Sequence, residues 1–124
     1  MSKCQWHKDG TLPENGEIFV FGSNTRGLHS GGAAAVALNK FGAVLGNGVG
    51  YQGKSYAIAT LDSAYEQLPI DLILQQVLAL EDSVIGNGAK YFITRVGCGI
   101  AGFLDEEMAR MFKGFLNLYN VSLP

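Results

Sequence analysis

Two glycine-rich stretches hold the residues best suited to chemistry in this chain. Residues 22–32 read Gly-Ser-Asn-Thr-Arg-Gly-Leu-His-Ser-Gly-Gly, and residues 97–103 read Gly-Cys-Gly-Ile-Ala-Gly-Phe. Gly31 and Gly32 stand where a helix is expected to begin. The free backbone N–H groups of a helix start, with no side chain in the way, make an anion site whose usual occupant is phosphate. Gly97, Gly99 and Gly102 permit the close approach or positive φ that a second nest of N–H groups requires. Tight turns between packed elements would use the same glycines, so the functional reading rests on two such loops meeting at one sheet edge.

Four side chains near these loops invite a chemical role. His29 lies inside the first stretch, where an imidazole could hydrogen-bond a ligand or move a proton, or stand as an exposed polar residue. Asp62, just past a short apolar run, is the carboxylate best placed at the same edge. Cys98 has no basic neighbour or helix start to lower its pKa, and it reads as a small buried loop residue. His7 reads as surface, in an arm able to fold over a pocket.

A stricter pattern is also present. Gly48-Val-Gly-Tyr-Gln-Gly53-Lys54-Ser55 matches G-x-x-x-x-G-K-[ST], the phosphate loop of nucleoside triphosphate binders. That loop needs a strand before it and a helix after it. Residues 42–47 are too short and glycine-broken for the strand, and residues 56–60 read as a strand where the helix should be. A triphosphate binder is the alternative that this context argues against.

The elements that must position these groups follow from apolar patterning. Ile18-Phe19-Val20-Phe21 is a continuous β-prone run suited to a strand buried on both faces. Ser30 is placed to cap a helix running to Phe41, with Gly42 as its stop. Residues 55–59 form a second short strand. Pro69 opens a long helix with apolar Ile70, Ile73, Leu74, Val77, Leu80 and Val84 at helical spacing, ended by Asn87-Gly88. Residues 91–96 form a third strand, and Asp105 is placed to cap a third helix. Its inward stripe comprises Met108, Met111, Phe112, Phe115, Leu116 and Tyr119. Residues 121–123 suggest an added edge strand. Strand and helix in alternation predict a three-layer α/β/α domain with a mainly parallel sheet.

Composition narrows the function classes. The chain has 124 residues, 48% hydrophobic and 16% charged, with a formal net charge of −2. That length suits one domain with its own core: residues 17–124, preceded by a polar arm at 1–16. Nine basic residues without a run give no footprint for duplex nucleic acid. Neither a membrane span nor a signal peptide is evident. Two distant cysteines, Cys4 and Cys98, read as reduced thiols in a cytoplasm. No metal spacing or cofactor motif is evident. The departure from the ordinary is glycine, 17 of 124 residues, about twice the usual share.

The loops, taken in order, resemble the macrodomain family, which binds ADP-ribose and related nucleotides. The residues that carry the resemblance are FVFGSN at 19–24, SGGAAAVA at 30–37, SYAIAT at 55–60 and FITRVGCGIAGF at 92–103. The chain is similar too to small phage and bacterial proteins with an FGSN-type loop. The resemblance implies a minimal macrodomain-like fold over roughly residues 17–119. It implies that Asn24 lies near the distal ribose and that Gly31 and Gly32 form the first phosphate-side loop, with Gly22, Ser23 and Ser30 also expected to bind the ligand. Gly97, Cys98, Gly99, Ile100, Ala101, Gly102 and Phe103 then form the second. The expected ligand is ADP-ribose or a related nucleotide diphosphate. If the chain is catalytic, the expected reaction is hydrolysis at the anomeric carbon of an ADP-ribosyl group, with Asn24 positioning and His29 or Asp62 handling protons or water. Gly22 stands where the family's loop has its first asparagine, and the loop has no carboxylate, so hydrolysis does not carry over with the resemblance. A binding-only module that sequesters a nucleotide signal uses the same residues.

Overall fold

The structure is a computed structural model and describes residues 3–14, 16–99 and 101–124. In chain order the elements are β1 Gln5–Trp6, β2 Ile18–Asn24, α1 Gly32–Lys40, β3 Gly50–Gln52, β4 Ser55–Leu61, α2 Ile70–Asn87, β5 Tyr91–Ile93, α3 Asp105–Met111 and β6 Val121–Leu123. A 3-10 helix at Lys113–Asn117 follows α3. The strands form one sheet in the order β1-β6-β5-β2-β4-β3. All neighbours are parallel except β3, which returns antiparallel along β4.

Successive strand residues point to opposite faces of a sheet, and the apolar side chains sort accordingly. Phe19, Phe21, Ala57 and Phe92 join Ala34 and Ala37 of α1 in one core cluster. Val20, Ile58, Ile93 and Val121 join Ile73, Val77, Leu80 and Val84 of α2 and Met108 and Met111 of α3 in the other. The chain leaves β2 through α1 for β4 on one side, then returns through α2 to β5 on β2's other side. That reversal makes β2 a topological switch point, where ligand crevices form beyond the carboxyl ends of the strands.

Several elements differ from the sequence expectation, each for a local reason. β2 runs on through Gly22, Ser23 and Asn24, which are strand rather than loop, because they continue the ladder with β4 up to a register shift between Ser23 and Asn24. α1 starts at Gly32 with Gly31 at its N-cap and no side-chain cap, so Ser30 does not cap it. Leu104, not Asp105, is the N-cap of α3, and its backbone N–H donates to Glu107 Oε1 at 3.2 Å. The expected third helix breaks after Met111 and turns into 3-10 geometry, leaving Leu116 and Tyr119 exposed. β5 stops at Ile93, and residues 94–98 turn over the carboxyl end of the sheet.

The polar arm is partly woven into the sheet. β1 pairs with β6, so β6 is not an edge strand, and Cys4 is buried with its N–H on the Leu116 carbonyl. Beyond β3, the open edge of β4 is satisfied by a side chain. Gln76 of α2 accepts from the Ala59 N–H at 2.7 Å and donates to the Ala59 carbonyl at 2.8 Å. Among the described residues, no helix is long and apolar enough to cross a membrane.

Candidate functional site

A cavity of about 550 Å³ opens at the carboxyl ends of β2, β4 and β5. Both glycine stretches reach it: Gly22, Ser23, Asn24, Ser30, Gly31 and Gly32 from the first, and Gly97, Cys98, Gly99 and Ala101 from the second. The volume falls within the range of small-molecule sites, roughly 300–1,000 Å³. Ala33, Ala34 and Val36 bring the start of α1 to the wall, where its first N–H groups have no intrahelical partner. Gly102, Phe103, His29 and Asp62 do not line it. Ile100 lies outside the described residues.

Glycine is needed at specific places for this assembly. A Cβ on Gly22 would lie 3.3 Å from the Gly97 backbone nitrogen, so the two stretches approach through their glycines. Gly97 has φ +78°, and a Cβ there would meet Met108 and Phe103. Gly48 performs a similar service further out: a Cβ on it would collide with the Asn24 carbonyl oxygen. The 42–53 region thus packs against the loop after β2. Gly53 and Lys54 form the turn between β3 and β4, with no helix after them, so the phosphate-loop pattern has no phosphate-loop geometry.

The three side chains expected to be catalytic are all committed within the protein. Asn24 is buried; its Nδ2 donates to the Leu28 carbonyl at 3.0 Å, and its Oδ1 accepts the Leu28 N–H at 3.1 Å. It braces its own loop at the cavity wall. Asp62 Oδ1 accepts the N–H groups of Ala64 and Glu66 at 2.8 and 3.0 Å, shaping the turn that carries Tyr65. Tyr65 lines the cavity with φ +62°, a conformation rare outside glycine and a mark of local strain. His29 is 2% exposed, and both its ring nitrogens are engaged inside the loop cluster. Of the two readings the sequence left for this histidine, an acid–base or ligand-contacting group and an exposed polar residue, this burial overturns the exposed one.

Arg95 and the arm residues Asp9, Gly10, Thr11 and Leu12 line the wall without having been singled out by the sequence reading, whereas His7 and Cys98 were. Arg95 lies on the wall and reaches Asp105 at 2.6 Å and Asp9 of the arm at 3.2 Å. These carboxylates hold its guanidinium firmly charged, and Arg95 in turn keeps Asp105 below the usual carboxylate range. His7, Asp9, Gly10, Thr11 and Leu12 complete the wall from the arm. The His7 ring stacks on Phe92 with centroids 3.7 Å apart and shares a 2.7 Å hydrogen bond with Ser122. Burial pushes the Cys98 thiol up to about 11, reinforced by Asp105, so at neutral pH it is a poor nucleophile. Among the described residues, no three His, Cys, Asp or Glu side chains gather as a metal site requires.

The cavity and its parallel sheet define a mixed α/β domain with a crevice at the strand ends. No family model matches the chain, and no curated protein matches it. Solved structures do. One, described as a protein of unknown function from Bacteroides thetaiotaomicron, superposes with a TM-score of 0.67 at 20% identity, covering 98% of this chain and 97% of that one. A second, a structural-genomics target from the same organism, gives 0.65 at 20% identity over 98% of both chains. These likenesses establish a shared fold.

Proposed function

We propose that the chain is a minimal macrodomain-like module of three-layer α/β/α build, which binds ADP-ribose or a related nucleotide diphosphate in the switch-point cavity. The observation that carries this reading is the convergence of both glycine stretches and the start of α1 on one cavity. Backbone N–H groups at α1 hold one phosphate, and Gly97, Cys98 and Gly99 approach the other. Arg95 lies on the same wall, its guanidinium held by Asp9 and Asp105, and the N–H donors it has left suit phosphate oxygens. Asn24 uses one of its two N–H donors on Leu28, so the other is the group that meets a ribose.

Binding without ADP-ribosyl hydrolysis is favoured by a specific observation. The groups expected to handle the proton or water, His29 and Asp62, do not line the cavity, so neither meets a bound ADP-ribosyl group directly. A panel of ADP-ribose, ADP and NAD tests the reading by thermal shift. A ligand at a hundredfold excess over Kd adds about 2.7 kcal/mol, which raises the Tm of a domain this size by roughly 10 °C. No shift with any of the three at millimolar concentration contradicts it.

A further inference from the structure

Ser23, the residue before the last of β2, lines the cavity, and its Oγ lies 2.8 Å from His29 Nδ1. The rest of the network fixes how this pair shares its proton. Gln52 Oε1 accepts the Val44 N–H at 2.9 Å, while its Nε2 donates to the carbonyls of Asn47 and Gly50. The carboxamide is therefore oriented with its oxygen toward His29. His29 Nε2 faces that oxygen at 3.1 Å and the Val44 carbonyl at 2.9 Å. Two acceptors and no donor surround Nε2, so Nε2 carries the hydrogen. In the neutral ring Nδ1 is then a bare lone pair, and the Ser23 hydroxyl donates to it.

This is the arrangement of an activated nucleophile: a hydroxyl on a cavity wall, a base within hydrogen-bond reach, and a third group that holds the base. Ser23 is 6% exposed and His29 2%, so bulk water does not compete for their hydrogen bond. The imidazolium formed on proton uptake keeps its Nε2–H on two oxygens. α1 begins on the same wall, and N–H groups at such a helix start favour developing negative charge.

We propose that Ser23 is a nucleophile toward carboxylic esters small enough to enter the cavity, with His29 as its general base and Gln52 and the Val44 carbonyl holding the imidazole. Ser23 Oγ bonds to the acyl carbon as its proton passes to Nδ1. The alcohol leaves with that proton, and the product is an acyl-serine. The role does not depend on which ligand fills the glycine loops.

A short-chain fluorophosphonate tests it without any nucleotide, so its result is separate from that of the ADP-ribose panel. Attack forms the Oγ–P bond and expels fluoride, with the proton going to His29. The expected result is one adduct on the native protein by intact mass, mapped to Ser23 by peptide sequencing. The adduct is absent from heat-unfolded protein and from Ser23→Ala. His29→Asn retains an acceptor for the Ser23 hydroxyl but is not a base, and it should slow labelling about 10²–10⁴-fold, with its fold checked by thermal melting. Should that variant not melt cooperatively, the native and unfolded wild-type arms decide alone. No adduct at Ser23 on native protein, or wild-type labelling in folded His29→Asn, overturns the proposal and leaves the network as a brace.

Discussion

The two core clusters are built differently, and the cavity belongs to the thinner one. The cluster reaching α2 and α3 is filled by branched aliphatics, methionines and aromatics such as Tyr91 and Phe115, with Ile73, Val77 and Leu80 fully buried. The cluster reaching α1 relies on Ala34, Ala37, Ala43 and Ala57 against Phe19, Phe21 and Phe92. Alanines bring α1 close to the sheet, and past their end the space between helix start and strand ends is open. Hydrogen bonds do on this side what apolar volume does on the other: Ser23, His29 and Gln52 are all buried and mutually satisfied. One cluster gives the domain stability, and the other gives it a site.

The comparison breaks first if stability does not reside where the aliphatics are. Ile73→Ala should cost about 2–5 kcal/mol, read by denaturant unfolding, while the ADP-ribose affinity of the folded fraction stays unchanged. A smaller loss is expected at the loop cluster. Gly48→Ala drives a methyl into the Asn24 carbonyl and should cost about 1–3 kcal/mol. Unlike Ile73→Ala, it should also weaken ligand binding, because the Asn24 loop moves with it.

Arg95 sharpens the contrast further. Its ion pairs are solvent-exposed, and such pairs contribute little to folding. Arg95→Gln should therefore leave the melting temperature nearly unchanged yet lower affinity for a diphosphate, and the loss should shrink at high salt.

The smallest effect concerns the arm. Burial pulls the His7 imidazole below its ordinary value of 6.5, against opposing contributions from Ile93, Glu17 and Asp9. A histidine whose folded pKa is depressed leaves the unfolded chain holding more protons, so stability rises with pH through that window. Acidification below about 6.5 should weaken the fold slightly, and His7→Phe should flatten that slope in a series of melts from pH 7 to pH 5.

Much of the frame was legible because it is periodic or punctuated. The spacing of Ile73, Val77, Leu80 and Val84 announces α2, and Gly88 ends it in left-handed geometry with φ +70°. The run at 18–21 announces β2. β1 and β3 escaped because two or three residues carry no period; their pairing with β6 and β4 is a tertiary fact. The site was legible as a backbone feature, since glycine composition marks where chains approach. Its side-chain chemistry was not. Nothing in the spacing of Asn24 and Leu28 says that the amide turns back on its own loop. Gln52, which orients His29, comes from a strand that the sequence did not reveal. Arg95 was the readable omission, a lone cation beside the second glycine stretch.

The central claim is that the glycine-lined cavity is an anion-binding nucleotide site, and calorimetric titration of ADP-ribose tests it most directly. Gly99 lines the cavity, lacks a positive φ, and has open space where a Cβ would stand. Gly99→Glu therefore introduces a negative charge at the proposed diphosphate without straining the backbone. The account predicts one ADP-ribose per wild-type chain and at least a tenfold weaker Kd in Gly99→Glu, which corresponds to about 1.4 kcal/mol, with the melting temperature of the free protein unchanged. Absence of binding to the wild type at millimolar ligand, or equal affinity in the two proteins, would contradict it.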